Sequence, residues 1–534
     1  MPSNISGIVG HYWHQVAQRL RNYTLGVPVS LQESETVFLI LTIEDVCAEL
    51  PLFYIPSFLE RLRRQHTAER YDHPSWWACI NALIALAIWR RMANRSFGKM
   101  SVFVWAFIKN AYASFPHIIQ HADDLLAVQA LLAMAMFMTT SADIRTTSFL
   151  LSTACRAIQT IGLHIMSHQN SLSFLEKDTR NRVFWVAFIL ETETSISYGT
   201  PSMLAEDDLD IDLPAERSPD GCGLITLKGE QRHINIFRLR AELAIIQSRV
   251  QKKLYSAKSL KQSGSQLLQI TQELQCELEN WRSRVPLEVR PEFDRTLESS
   301  MRDTPVVNLH FMYFHCISMV HWTALRQSSW KAAMETTQSV SQYRAAAKAT
   351  ISLLNCLPNP QILGLWHNLS FAISASLVLL AGVLEVTYDP DVQADLKLLE
   401  LFMKWVVRLK DEEGYELTNL QTACSAMIRI AKSAISGSGG VPVLQAIENQ
   451  QPDAAIARTE FMKQKLASLI CDCTHPIYLI QCLMGNLPNR DMDASRMLSG
   501  MLGVFWEEGT STGYGPFVPD ILRSNTYGFG VSES

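Results

Sequence analysis

Apolar positions along most of the chain recur at the spacing of an α-helix. The segment 125–138, LLAVQALLAMAMFM, is almost wholly apolar and rich in the good helix formers Leu, Ala and Met. After a polar break at 139–146, Leu150, Ala154 and Ile158 fall on one face of a second helix. Two successive helices are therefore predicted in this part of the chain.

Gly162 is the expected end of the second helix. A glycine suits the left-handed residue that follows a helix, and Leu163 is placed to fold back as its apolar partner. Further helices are predicted at 267–281, 306–326, 338–355, 368–386, 395–410 and 417–434. Alternating strand patterns and Asn-Gly hairpin turns do not stand out. The sequence thus predicts an all-α protein, a large multi-helix domain followed by a less ordered C-terminal tail.

A 3-4-3-4 spacing relates Ile236, Leu239, Leu243, Ile246 and Val250. This spacing fits a dimer seam between two copies of the chain or a partner. It covers only two heptads, whereas a coiled coil needs about three to four. A helix that faces the core of its own domain is therefore favoured, and the dimer seam stays open as the alternative.

Composition and charge narrow the possible functions. Apolar residues make up 48% of the 534 residues and charged residues 19%, which favours a sizeable core over wholesale disorder. The net charge is −5, and the densest basic spot, RLRR at 61–64, is interpreted as a solvated helix face. Binding to nucleic-acid phosphates needs clustered Lys and Arg, so the composition does not indicate it.

Membrane insertion and disulfides are not expected either. The longest apolar runs, 76–89 and 368–384, are shorter than the roughly 20 residues that span a bilayer, and core helices explain them better. The eleven cysteines are odd in number and mostly lie within apolar runs. This pattern favours free thiols in a reducing compartment.

Three short motifs resemble catalytic or metal-binding sites but lack the spacing or the neighbouring elements that such sites need. GTSTG at 509–513 has the letters of a nucleophile elbow, yet it lies in a Gly-rich tail without the required strand and helix. CDC at 471–473 lacks the spacing of a zinc site, and the acidic run 206–212 lacks that of a calcium loop. The acidic run is interpreted as a solvated or Arg-paired loop. The sequence predicts no enzyme and no metal or cofactor held by this chain.

The stretch from Thr179 to Pro214 combines R-x-R-x-F-W, a helical run, G-x-P and the acidic ending DIDLP. This order resembles the middle homology region of fungal zinc-cluster transcription regulators. The residues that carry the resemblance are Arg180, Arg182, Phe184, Trp185, Gly199, Pro201, Asp210, Asp212 and Pro214.

Further landmarks of that region follow in order. ACRAIQTIGLH at 154–164 retains Arg156, Gly162 and His164, and similar stretches lie at 49–62, 125–137, 278–286, 308–321 and 343–354. The resemblance implies an N-terminal segment 1–39, the middle homology region 40–435, a linker 436–460 that contains SGSGG, and a C-terminal helix or tail 461–534. The tail mixes acids and aromatics, as activation segments do, although a plain disordered tail or docking strand explains it equally well.

The chain departs from the family pattern in two places. Glu191-Thr192 stands where the family usually has Asp-Arg, and Thr200 stands where it usually has Arg. Fewer arginines are thus available to clamp the acidic loop. In addition, residues 1–46 contain no cysteine, whereas such regulators usually carry a six-cysteine zinc cluster. Zinc and direct DNA contact are therefore expected only from a domain outside this chain.

The resemblance implies a nuclear regulator of RNA polymerase II transcription whose helical body responds to a small-molecule effector. Its expected partners are other regulators or a second copy of itself, with DNA reached indirectly and no membrane. A truncated gene model, a co-regulator and a decoy of a full-length factor all fit the missing cluster. The alternative is a soluble helical small-molecule-binding or scaffold protein that acts as a partner or decoy.

Overall fold

The computed structural model describes residues 43, 46–64, 73–91, 97–120, 124–140, 144–165, 171–226, 233–293, 304–327, 337–357, 365–385, 391–411 and 418–437. The predicted N-terminal segment 1–39 and C-terminal region 461–534 lie outside these residues. So do the GTSTG and CDC motifs and most of the predicted linker.

Helices make up nearly all of the described structure. They are α1 Ile55–Arg64, α2 Pro74–Arg91, α3 Phe97–Ala113, α4 Phe115–Gln120, α5 Leu125–Met138, α6 Ile144–Thr160, α7 Phe174–Tyr198, α8 Ile236–Leu254, α9 Gly264–Arg284, α10 Thr304–Gln327, α11 Thr337–Leu353, α12 Leu365–Glu385, α13 Val392–Asp411 and α14 Thr418–Gly437. A helical turn at 46–49 precedes α1. The all-α prediction is confirmed, and the later helices start and end within a few residues of the predicted bounds.

Local caps fix the ends of α6 and α7. Gly162 is left-handed with φ 69°, and the N–H of Leu163 reaches back to the carbonyl of Ile158 at 3.0 Å, as predicted for the end of α6. Gly199, with φ 66°, ends α7 in the same way. At its start, α7 has a capping box between Ser173 and Glu176, which satisfies N–H groups that have no partner inside the helix.

Two predictions at the edges of the domain need correction. A short antiparallel hairpin joins β1 Leu224–Thr226 to β2 His233–Asn235, with Ile225 opposite Ile234. Strands of three residues are too short to show an alternating pattern, so these two strands could not be predicted. The linker predicted to begin at residue 436 starts inside α14, which extends to Gly437.

Buried side chains of the described residues form two hydrophobic cores. The first is built mainly from α1–α7 and the second mainly from α9–α14. Helix α8 serves both, because Phe237 and Ala241 point into the first core while Leu243 and Val250 point into the second. The two halves therefore share α8 as a common wall.

This sharing settles the two readings of the 3-4-3-4 pattern. Ile236, Leu243, Ile246 and Val250 are buried in the second core, and Leu239 packs partly buried against it. Their surface is used within the chain, so it is not exposed for a dimer seam. The dimer seam is wrong for these five residues, and the core-facing helix is confirmed.

The long apolar runs are core helices, as expected. They lie in α2 and α12, both of which contribute buried side chains to the two cores. Within the described part of the chain, no helix combines the length and apolarity needed to cross a bilayer.

Gly223 connects the hairpin, α8 and the turn at 46–49. Its carbonyl accepts hydrogen bonds from the N–H groups of Ile236 and Phe237, and its own N–H donates to the carbonyl of Cys47 at 3.2 Å. Its φ is +77°, and a Cβ at this position would lie 2.8 Å from Cβ of Phe237. Gly223 therefore meets both a conformational and a steric requirement for glycine.

Replacing Gly223 with alanine should cost more stability than replacing Gly221. Both glycines have positive φ, but a Cβ at Gly221 has nothing within 4 Å. Gly221→Ala should therefore cost only the left-handed penalty of about 1–2 kcal/mol. Gly223→Ala should lose about 1–3 kcal/mol more through overpacking against Phe237. Urea unfolding of both variants measures the difference, and equal losses would contradict the close packing.

Candidate functional site

A buried arginine lies between the two cores. Arg240, on α8, donates from Nη1 to Oε1 of Glu49 at 2.9 Å. Its Nε and Nη2 donate to the carboxylate of Glu193, on α7, at 3.0 and 2.9 Å. The three side chains are at most 8% exposed. Arg240 thus ties α7, α8 and the turn at 46–49 together inside the protein.

Two asparagines extend this cluster into the second half. Asn308, on α10, donates to Oε1 of Glu49 at 2.9 Å, and Asn368, on α12, donates to Oδ1 of Asn308 at 2.9 Å. Both are buried. We call Glu49, Glu193, Arg240, Asn308 and Asn368 the polar junction. It links four helices and the turn at 46–49 across the boundary of the two cores.

In the polar junction, burial and the neighbouring opposite charges shift the pKa values in opposite directions. Burial opposes the charge of Arg240, but Glu193 and Glu49 outweigh it and hold the pKa of the guanidinium above its usual value. Burial also raises the pKa of Glu193, although Arg240 favours its ionised form. An arginine between two carboxylates is therefore kept charged in a place where an unpaired charge is costly.

A small cavity adjoins the polar junction. Its volume is about 20 Å³, and Thr139 lines it together with the junction residues. Leu50, Met136, Leu190 and Met312 supply its apolar walls. Oε2 of Glu49 is buried and has no hydrogen-bond partner among the described residues.

The aromatic pair of the family motif holds the acidic ending DIDLP in place. Phe184 and Trp185 are buried, and the indole Nε1 of Trp185 donates to the carbonyl of Asp212 at 2.8 Å. Asn181, one turn earlier on α7, donates to the same carbonyl at 2.7 Å. The motif thus recognises the backbone of Asp212, while its carboxylate is exposed.

Arg182 forms a second buried ion cluster. It pairs with Asp178, as the i,i+4 spacing predicts, and Nη1 donates to both carboxylate oxygens of Asp220 at 2.9 and 3.0 Å. Asp220 also accepts from the hydroxyl of Ser218 at 2.6 Å and from the N–H of Ile55 at 3.3 Å. Burial opposes ionisation of Asp220, but Ser218 and Arg182 outweigh it and lower its pKa. This cluster joins α7 to the start of α1.

Glu191, one of the departures from the family pattern, clamps the turn after α7. Its carboxylate accepts from the hydroxyls of Ser195 and Ser202, both at 2.7 Å, and from the N–H of Met203 at 2.9 Å. Burial is the largest influence on Glu191 and raises its pKa despite these donors. Hydrogen bonds to a buried glutamate therefore hold the turn.

The acidic run 206–212 is paired with basic side chains of α8 at its start and exposed further on, in agreement with the prediction of a solvated or Arg-paired loop. Arg249 forms hydrogen bonds to both carboxylate oxygens of Glu206, and Lys252 pairs with Asp207. Asp210 and Asp212 expose their carboxylates. Both basic residues lie on α8, and none of the residues that carry the family resemblance lies on that helix.

The remaining motif residues contribute mainly through the backbone. The carbonyl of His164 accepts from the N–H of Asp210 at 3.0 Å, and that of Pro214 accepts from Nη1 of Arg238 at 2.6 Å. His164 and Arg180 are half-buried, whereas Arg156 and Pro201 are exposed. The structure therefore gathers most motif residues around the segment 199–220, with Arg156 on the surface of α6.

Sequence reasoning missed the polar junction. Its members are single polar residues within largely apolar helices, and 259 residues separate Glu49 from Asn308. The available signal was a polar residue on an otherwise buried face, as at Glu193 and Arg240.

Among the described residues, no group of three His, Cys, Asp or Glu side chains is arranged to hold a metal ion. Eight of the eleven cysteines lie in this part of the chain, and each of them is free.

Fold and motif geometry together define a class: a large all-helical body in which an R-x-R-x-F-W helix holds an acidic loop. Residues 41–283 match the sequence model of the fungal specific transcription factor domain. This match confirms the resemblance for that part of the chain.

Relatives of the chain are transcription factors of fungi. The chain is 31% identical over 405 residues to an ABC-transporter-regulating transcription factor of Aspergillus fumigatus, covering 72% of this chain and 45% of the relative. A protein of the same description from Aspergillus oryzae is 30% identical over 412 residues, with 73% and 45% covered. The fusaridione A cluster transcription factor of Fusarium heterosporum is 25% identical over 406 residues, with 74% and 76% covered. The chain thus spans less than half the length of the two Aspergillus relatives.

Replacing Arg240 with methionine should destabilise the protein strongly. The change keeps much of the side-chain volume but leaves Glu49 and Glu193 buried without their cation, which should cost about 3–5 kcal/mol. Arg249→Met is the matched control, because Arg249 pairs with two carboxylates but its side chain is 37% exposed, so about 1 kcal/mol or less is expected. Urea unfolding of the full chain measures both. Equal losses would show that the polar junction carries no special constraint.

Replacing Asp220 with asparagine should cost stability in a pH-dependent way. Because the pKa of Asp220 is lowered in the folded state, its ionised form stabilises the protein at pH values above the unfolded pKa of about 3.9. This stabilisation is lost as the pH falls through the folded pKa. The stability gap between wild type and Asp220→Asn should therefore be constant above about pH 5 and narrow towards about pH 3.5. Asp212→Asn, at an exposed carboxylate, should change little. A gap at Asp220 that stays constant over this range would contradict the ionised pair.

Proposed function

We propose that the chain is a transcription regulator that acts in the nucleus on genes transcribed by RNA polymerase II. The observation that carries this proposal is the match of residues 41–283 to the fungal specific transcription factor domain. The names of the relatives support it, since they describe transcription factors and not enzymes. Two of those names mention ABC transporters and one the fusaridione A cluster, so a metabolic or transporter gene set is the proposed target class.

The described helical body is proposed to supply regulation and not base recognition. The acidic net charge of the whole chain, −5, does not favour phosphate contacts. DNA is reached through a domain outside this chain or through a partner regulator. This division is in keeping with a chain that spans 45% of its Aspergillus relatives.

The proposed mechanism uses the boundary between the two cores. A small-molecule effector that binds one arrangement of the halves better than another shifts the population towards it. Helix α8 and the polar junction span that boundary, so a change there reaches both halves. The population shift changes the exposure of the surfaces that partner proteins bind.

Fusion of the full chain to a heterologous DNA-binding domain should change transcription of a reporter in a fungal host. The expected result is a several-fold change relative to the DNA-binding domain alone, together with nuclear fluorescence of a tagged copy. Arg249→Met should keep the effect, and Arg240→Met should lose it because the boundary between the cores is disrupted. An unchanged reporter with a stable, nuclear fusion would contradict the proposal and favour a helical partner or decoy.

A further inference from the structure

The carboxylate of Glu49 has one satisfied and one unsatisfied oxygen. Oε1 accepts from Arg240 and Asn308, each at 2.9 Å. Oε2 has no hydrogen-bond partner among the described residues, and the side chain is 3% exposed. A buried carboxylate oxygen without a donor costs free energy, so this oxygen calls for a partner.

Charge in the polar junction is unbalanced. Two carboxylates, Glu49 and Glu193, share the single guanidinium of Arg240. Burial has the largest influence on Glu193 and raises its pKa, Arg240 acts in the opposite direction, and the negative charge of Glu49 adds to the rise. Buried charges in proteins are paired, and the polar junction has one negative charge more than it has positive charges.

The adjoining cavity has the size and lining for one small occupant. A volume of about 20 Å³ is enough for a particle of the size of water. The hydroxyl of Thr139 donates to the carbonyl of Met136 at 2.7 Å, so its oxygen keeps lone pairs that can face an occupant. The walls include Met136 and Met312, whose flexible side chains adapt to a slightly larger guest.

We propose that this cavity binds one small monovalent cation, either an alkali ion or the ammonium group of a small amine. A single positive charge balances Glu49 and Glu193 against Arg240, and Oε2 of Glu49 gains the partner it lacks. Calcium is a poorer fit because its two positive charges exceed the single negative charge that is unbalanced. A water molecule would satisfy the oxygen but would leave the charge unbalanced. The inference rests on the geometry around Glu49 and does not depend on a role in transcription.

Thermal unfolding of the purified full chain in different chloride salts tests this site. Sodium, potassium, ammonium and ethylammonium chloride are compared at equal ionic strength with tetramethylammonium chloride, whose cation is too bulky for the cavity. A bound cation should raise the unfolding midpoint in a saturable way, by roughly 2–4 °C well above its dissociation constant. A rise with sodium or potassium alone identifies an alkali ion, and a rise with both ammonium salts identifies an amine group.

Two variants separate this site from general salt effects. Glu49→Gln removes the excess charge and should abolish the rise. Glu191→Gln is the matched control, because Glu191 is also buried but both of its oxygens have donors, so the rise should persist. Equal midpoints for the wild type in all five salts would overturn the proposal and leave water as the occupant.

A crystallographic measurement decides the matter if Glu49→Gln does not fold. Thallium(I) mimics both potassium and ammonium and is located by its anomalous scattering. In wild-type crystals grown with thallium(I) acetate, an anomalous peak in the cavity beside Oε2 of Glu49 would support the site. No peak there, or peaks only on the protein surface, would overturn it.

Discussion

The buried contact of Arg240 with Glu49 and Glu193 is the constraint on which the two-core arrangement depends. A guanidinium in the interior must be matched by acceptors in fixed positions, because an unpaired charge there costs several kcal/mol. These acceptors come from the turn at 46–49 and from α7, and Asn308 and Asn368 add α10 and α12. Apolar packing is weakly directional, whereas this set of directed hydrogen bonds favours one arrangement of the two halves. The polar junction therefore specifies how the halves meet.

The family motif acts outside the polar junction, at the segment 199–220. Arg182, Trp185 and Asn181 use α7 as a platform that holds the segment 199–220 through Asp220 and the carbonyl of Asp212. The acidic side chains of Asp210 and Asp212 are exposed, so in this chain the motif is explained by backbone recognition and not by ion pairing of those carboxylates. Glu191 completes the arrangement from the same helix by fixing Ser202 and Met203.

Helices and their ends could be predicted because their signals are local. The unbroken apolar run of α5 matched its bounds of Leu125–Met138, and Gly162 ended α6 as expected. The 3-4-3-4 pattern on α8 was ambiguous, since a helix facing its own core and one facing a second copy share the same spacing. The polar junction was beyond reach because its residues come from distant parts of the chain. A glutamate at 49 and an arginine at 240 carry no local mark of their pairing.

The distance in sequence between Glu49 and its partners has a consequence for synthesis of the protein. Asn308 follows Glu49 by 259 residues, and Arg240 follows it by 191. At about 5–20 residues per second, the ribosome needs on the order of tens of seconds to deliver them. Until α8 emerges, Glu49 lacks its partner Arg240, and the side of the first core that α8 covers is exposed. Completion of the first core is thus tied to emergence of α8, and a chain that stalls before residue 236 leaves the apolar surface that Phe237 and Ala241 cover exposed.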